Sequence, residues 1–203
     1  MLFINNIFIY NVSVMRLYLM DINREIEYVN SVYEGIENDK DIYDNYMDGL
    51  DKGIILDLGC GIGPVSNYLS KHGYLTIGYD IDSYHIEMGK RYKPHLDLQV
   101  GDITNIPKQE VKANGAVYAY CLQNLKDNEI LKSFSLCNKN VVLNGKVLIF
   151  TTCKLDWTPS IFVNVLDENR LEKYLDMCGF RVDYVEYIDE SIISVIAIKY
   201  KEV

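Results

Sequence analysis

The stretch Ile54-Ile55-Leu56-Asp57-Leu58-Gly59-Cys60-Gly61-Ile62-Gly63-Pro64-Val65-Ser66-Asn67-Tyr68-Leu69 decides the architecture. The continuous apolar run from Gly53 to Leu58 is what a parallel strand covered on both faces requires. Glycines at 59, 61 and 63 then let the backbone turn tightly and approach a ligand. Pro64 suits the first turn of a helix, where its missing N–H costs nothing. A strand, a glycine turn and a helix start, in that order, offer a ligand free N–H groups and a positive dipole end.

On the N-terminal side, Ile22, Ile26, Val29, Tyr33 and Ile36 recur at helical spacing. After a polar break at 37–41 come Tyr43, Tyr46, Met47 and Leu50, so two short amphipathic helices precede the first strand. On the C-terminal side the pattern predicts helix 64–72, strand 74–80, helix 83–92, strands 96–100 and 114–120, helix 126–138 and strand 145–151. Such alternation means βαβ crossovers and a parallel sheet. A helix around 167–177 ends at Gly179. Phe180–Ile188 and Ser191–Tyr200 are then joined by Asp189-Glu190 alone, too short a link for anything but an antiparallel hairpin.

The chain has 203 residues, 49% of them apolar, enough for one substantial core. Its formal net charge of -9 disfavours binding to phosphate backbones, which needs clustered Lys and Arg, so no nucleic-acid partner is expected. Residues 21–51 carry ten acids against Arg24 and Lys40, a pattern of solvated helix faces. Five scattered cysteines without a Cys-x-x-Cys pair indicate neither a disulfide framework nor a zinc site, which fits a reducing cytoplasm. The start, MLFINNIFIYNVSVMRLYLM, is interrupted by Asn5, Asn6, Asn11, Ser13 and Arg16, which makes it a poor signal peptide and a poor membrane span. Met15 and Met20 are alternative starts to Met1.

A dinucleotide fingerprint would read G-x-G-x-x-G, but here the third glycine comes one residue early and Pro64 stands in its place. Asp57, two residues before Gly59, would repel a pyrophosphate and attract an ammonium group. With Gly78-Tyr79-Asp80-Ile81-Asp82 at the second strand and Val100-Gly101-Asp102-Ile103 after the third, the chain resembles the class I, Rossmann-like S-adenosylmethionine-dependent methyltransferases over roughly residues 50–200. The resemblance implies a doubly wound, mostly parallel seven-stranded sheet with helices on both faces, a C-terminal antiparallel hairpin and N-terminal lid helices. It further implies a single domain over 1–203, with 1–50 as the N-terminal extension and lid and 51–203 as the cofactor-binding core.

The same resemblance implies S-adenosylmethionine as cofactor. Asp57, Gly59, Cys60, Gly61 and Gly63 form its glycine loop, Asp80 accepts hydrogen bonds from both ribose hydroxyls, and Asp102 accepts one from the adenine amino group. Ile81 and Ile103 sandwich the ring. Tyr118, on the fourth strand, and Tyr43 and Tyr46, from the lid helices, are further candidate cofactor contacts, although core packing explains Tyr43 and Tyr46 equally well. Tyr120, Gln123, Asn124 and Trp157 are candidates to face the methyl acceptor. Asp82 reads better as a helix cap than as a ligand contact.

No metal is expected: His72, His85 and His95 are scattered without carboxylate or cysteine partners at metal spacing. Cys121 follows tyrosine rather than proline, against a covalent nucleophile. The expected reaction is in-line transfer to an O, N or S nucleophile of a small molecule. A protein or RNA methyltransferase, a non-catalytic cofactor-binding regulator and an NAD-dependent oxidoreductase remain as rivals. The catalytic base, the acceptor and the oligomeric state are not legible.

Overall fold

Seven strands form one mostly parallel sheet with an antiparallel hairpin at its end, as the alternating pattern predicts. The structure is a computed structural model and describes residues 22–153, 164–188 and 190–203. Trp157, the Asp189 turn position and the apolar start at 1–20 lie outside the described residues.

The described residues fall into two compact units, one ending at Asn38 and the other beginning at Asp39. In the first, helix α1 (Ile22–Asn38) buries Glu25, Val29 and Ile36 along one stripe. The second unit begins earlier than the expected boundary at residue 51, because helix α2 (Lys40–Met47) is anchored to the sheet. Tyr46 on α2 is fully buried, and its hydroxyl donates to the Ala116 and Lys146 carbonyls at 3.3 and 3.5 Å. Gly115 makes this approach possible: a β-carbon there would lie 2.3 Å from the Tyr46 hydroxyl.

The second unit then runs β1 (Ile54–Leu58), α3 (Pro64–Lys71), β2 (Leu75–Asp80), α4 (Ser83–Tyr92), β3 (Asp97–Val100) and β4 (Ala113–Ala119). A 3-10 turn (Leu122–Asn124), α5 (Asp127–Asn140), β5 (Val141–Thr152), α6 (Glu168–Met177), β6 (Phe180–Tyr187) and β7 (Ile192–Lys199) complete it. β1 to β5 pair in parallel, while β7 runs antiparallel to both β5 and β6. Leu56, Leu58, Tyr118, Phe134, Ile149, Leu171 and Phe180 belong to the main buried cluster. Cys60, Ile86, Leu96 and Leu98 form a smaller one near the glycine turn.

β5 departs from the expected strand 145–151. It begins at Val141, opposite Ala113, and the pairing then jumps so that Lys146 faces Gly115. Leu143-Asn144-Gly145 is therefore an irregularity within the strand, with Asn144 at φ +64, rather than a turn ahead of it. An Asn-Gly pair reads as a strand boundary, yet it also fits a bulge.

Candidate functional site

Parallel pairing brings the C-terminal ends of β1, β2, β3 and β4 to one edge, and the motif residues gather there. The glycine turn leaves β1 through Gly59, Gly61 and Gly63 at φ +82, +53 and +84, a left-handed region that disfavours side chains. Gly59 and Cys60 both donate their backbone N–H to the Tyr79 carbonyl, at 2.8 and 3.0 Å, which ties the turn to β2. At Gly59 a β-carbon would strike Cys121 Cβ at 2.4 Å. At Gly61 it would meet nothing within 4 Å, so the loop leaves open space on that side.

Asp57 is 1% exposed. Its Oδ2 accepts from the Ser66 N–H at 2.9 Å and from the Ser66 hydroxyl at 2.7 Å, so it caps α3 from the preceding strand, where Gly63 has no side chain to do so. Its Oδ1 is buried without a hydrogen-bond partner among the described residues. Burial pushes the carboxyl up to about 6; the Ser66 bonds oppose this and the Asp80 charge adds to it. An unpaired carboxylate oxygen at such a depth calls for a hydrogen-bond donor, and an ammonium group is one that also pairs with the ionised form.

Asp80 is half-buried and holds the loop with both oxygens: Oδ2 accepts from Gly61 N–H and Oδ1 from Asp82 N–H, at 2.8 and 2.9 Å. Each oxygen keeps acceptor capacity for a further donor. Asp102 is exposed, with Oδ1 and Oδ2 accepting from the Thr104 N–H and hydroxyl at 2.8 and 2.9 Å. Gly101 N–H donates to the Asp80 carbonyl at 2.8 Å, which locks the two acid-bearing turns together. Asp82 caps α4 by accepting from Tyr84 and His85 N–H groups, the role its spacing suggests.

The two isoleucines part company. Ile81 is 75% exposed beyond the end of β2, an open apolar surface beside Asp80, whereas Ile103 is buried in the main core cluster. Tyr118 is not brought to the edge. It is fully buried, its hydroxyl lies 3.1 Å from the Ser133 hydroxyl, and its ring meets Phe134 edge-on. Strand alternation turns this residue toward α5, so its placement is that of a core side chain. Tyr46 and Tyr43 are likewise buried side chains, the Tyr43 ring lying tilted against Tyr68 at 5.5 Å.

Tyr120, just past β4, sits at φ +54 with its ring 41% exposed and edge-on to Phe150 at 4.6 Å. A bulky residue held left-handed is strained, and such residues cluster at working sites. Its N–H donates to the Phe150 carbonyl at 2.7 Å, and the Gln123 side chain donates to its carbonyl at 2.8 Å. Gln123 also accepts from the Thr151 hydroxyl at 3.2 Å, so its amide is occupied in orienting this turn. Asn124 is exposed next to it. Burial raises the Cys121 thiol beyond its ordinary range, and it donates to the Leu58 carbonyl at 3.0 Å; both features suit a structural thiol rather than a nucleophile. Among the described residues no group of three or more His, Cys, Asp or Glu side chains gathers as a metal site, and no helix is long and apolar enough to cross a membrane.

Sequence reasoning missed Ser66 and Thr104, which hold Asp57 and Asp102. The Asp-x-Thr spacing at 102–104 carries a readable signal, since a threonine two residues on can return two donors to an aspartate. Ser66 had only its place in the first turn of a helix to mark it.

Residues 55–145 match the methyltransferase domain family. An uncharacterized methyltransferase of Alkaliphilus oremlandii is 21% identical over 140 residues, covering 68% of this chain and 63% of that protein. The chain spans less than two thirds of the curated relatives it matches, and only 15% of one of them, a Talaromyces variabilis protein. A crystal structure of a Pyrococcus horikoshii protein superposes with TM-score 0.72 at 17% identity, covering 82% of this chain and 90% of that one. The Burkholderia thailandensis 1,6-didemethyltoxoflavin-N1-methyltransferase superposes with TM-score 0.67 at 14% identity, covering 87% of each chain. Residues 55–145 are thus similar to the methyltransferase domain, and the fold is the Rossmann-like one expected of an S-adenosylmethionine-dependent methyltransferase.

Proposed function

We propose that the protein transfers a methyl group from S-adenosylmethionine to an O, N or S nucleophile of a small molecule. The observation that carries this reading is the buried, unpaired Asp57 Oδ1 beside an open glycine loop, on the same sheet edge as Asp80 and Asp102. The donor set fits the cofactor. Asp57 would take its ammonium, the Gly59–Gly63 backbone would lie against its methionine part, Asp80 would accept from the ribose hydroxyls and Asp102 from the adenine amino group. Ile81 would cover the ring from the open side, with Ile103 beneath.

When bound, S-adenosylmethionine supplies a methyl group that is already strongly electrophilic. The chain therefore needs chiefly to hold the acceptor in line and keep water out. Tyr120, Gln123 and Asn124 stand on the turn after β4 and would face the acceptor. A small acceptor is favoured by the acidic balance, which opposes a phosphate-backbone substrate. The Burkholderia relative, whose name gives a small heterocycle as its substrate, points the same way.

Two measurements test the reading. Calorimetry with S-adenosylhomocysteine and NAD side by side should give binding of the first alone. Labelled methyl transfer into a metabolite extract, with none into protein or RNA fractions, is the expected pattern; label confined to protein or RNA would overturn the small-molecule part.

A further inference from the structure

The motif residues gather at the C-terminal ends of the parallel strands. At the opposite edge of the sheet, where β4 starts at Ala113 and β5 at Val141, lies a cavity of about 250 Å³. Among the described residues it is lined by Lys108, Lys112, Leu136, Lys139, Asn140 and Glu202. The seven residues of β4 separate it from Tyr120, about 20 Å at roughly 3.3 Å per residue.

Buried groups fix its walls. Asn140 is 1% exposed; its Oδ1 accepts from the Gln109 N–H at 2.7 Å and its Nδ2 donates to the Leu136 carbonyl at 3.0 Å, which ties the segment bearing Lys108 to the end of α5. Lys199, fully buried on β7, donates to the Asn138 and Val141 carbonyls at 2.6 and 2.8 Å. The carbonyl end of α5 is thereby satisfied, and its negative pole is answered by a positive charge.

The charge gathered here runs against that of the chain, which has 29 acids against 20 lysines and arginines. A single oxygen, Glu202 Oε1, accepts from Lys112 and from Lys199, each at 2.8 Å. These bonds hold the Glu202 carboxyl down at about 2, far below the usual carboxylate range. Lys108 and Lys139 are exposed and form no ion pair among the described residues. One carboxylate thus answers two of four ammonium groups, and the repulsion among cations brought together in this way favours a further anion.

We infer that the cavity binds a small phosphorylated molecule, received by Lys108 and Lys139 with Lys112 and set against Leu136. A lysine ammonium is a compact point charge that suits phosphate oxygens presented on several sides. A flat carboxylate is better matched by the planar fork of arginine, and the residues named for this cavity include none. The volume is below the roughly 300–1,000 Å³ of pockets that enclose drug-sized ligands, so the occupant is small. A phosphate held here stands at the far end of β4 from the glycine loop, and the inference is independent of the methyl-transfer reading.

The test is calorimetry on the full chain at low ionic strength with pyrophosphate, ribose 5-phosphate and, as a polyanion without phosphorus, citrate. Saturable binding of a phosphate, tighter than that of citrate, is expected. Whichever phosphate binds more tightly tells whether the site takes an inorganic or an organic one. Lys108→Gln and Lys139→Gln should each weaken binding about tenfold, the loss of one hydrogen bond to a charged group. Both side chains are exposed, so these variants keep the fold. Lys90→Gln on α4, an equal change of net charge at another exposed lysine, should alter affinity by less than about twofold. Glu202→Gln removes the chain's own anion and should tighten binding about threefold.

Binding of neither phosphate, citrate binding as tightly as the phosphates, or an equal loss in Lys90→Gln overturns the inference. So does competition by S-adenosylhomocysteine, which would move the anion to the glycine loop.

Discussion

The two halves of the sheet's working edge are built by different means. Over β1, β2 and β3 the positions are set by the main chain: Gly59 and Cys60 bond to Tyr79, Gly61 to Asp80, and Gly101 to the Asp80 carbonyl. Over β4 and β5 they are set largely by side chains: Tyr120 leans on Phe150, Gln123 bridges Tyr120 and Thr151, and Cys121 bonds to Leu58. A site made by the backbone tolerates few residue types, because left-handed turns and close approaches exclude most side chains. A site made by packing can be reached by many combinations.

Substitutions on the backbone-built side should therefore be the most damaging. Asp80→Ala removes both the proposed ribose acceptor and the partner of the Gly61 N–H. Calorimetry should show S-adenosylhomocysteine affinity reduced by at least about a hundredfold, close to 3 kcal/mol. Unchanged affinity would break the ribose assignment. Gly59→Ala meets Cys121 Cβ at 2.4 Å and a left-handed backbone, so denaturation should report a loss of about 3 kcal/mol of stability. Gly61→Ala, with nothing within 4 Å, should cost only about 1 kcal/mol of stability and yet weaken cofactor binding, which separates the loop's folding role from its binding role.

The next effect is set by pH. Asp57 has its pKa raised from 3.8 to about 6, so between those values the folded state holds a proton that the unfolded state has released. The sign is that of a buried acid: ligand-free stability falls as pH rises through this window, by about 3 kcal/mol in all, and the cost is fully present above it. A bound ammonium pairs with the ionised form. S-adenosylhomocysteine affinity should therefore fall by about tenfold from pH 7 to pH 5, and Asp57→Asn should flatten that dependence. A pH-independent wild type would deny Asp57 its ligand. The smallest effect belongs to Tyr118→Phe, which removes the hydrogen bond to Ser133 and should cost about 1 kcal/mol of stability. Cofactor affinity should not change; a fall would return Tyr118 to the site.

This contrast also explains what could be read from the residues alone. The parallel sheet and its closing hairpin follow from apolar runs separated by helical patterns, and Gly59, Gly61 and Gly63 stand out because a tight left-handed turn needs glycine, whereas Asp80 and Asp102 are marked by the family resemblance. Tyr118 misleads because a tyrosine near the end of a strand looks the same whether it faces the edge or α5, and only the pleat decides. Tyr46 was equally ambiguous, since nothing in its spacing says that Gly115 leaves room for its hydroxyl.

Asp80 carries one consequence for how such a chain can change over generations. One carboxylate holds the Gly61 N–H and, on the proposed reading, would also meet the ligand, so a change at this position disturbs the loop and the binding surface together. The loop and the acid can drift only together, as one heritable unit, whereas the β4 side stays free to be rewritten for a new substrate.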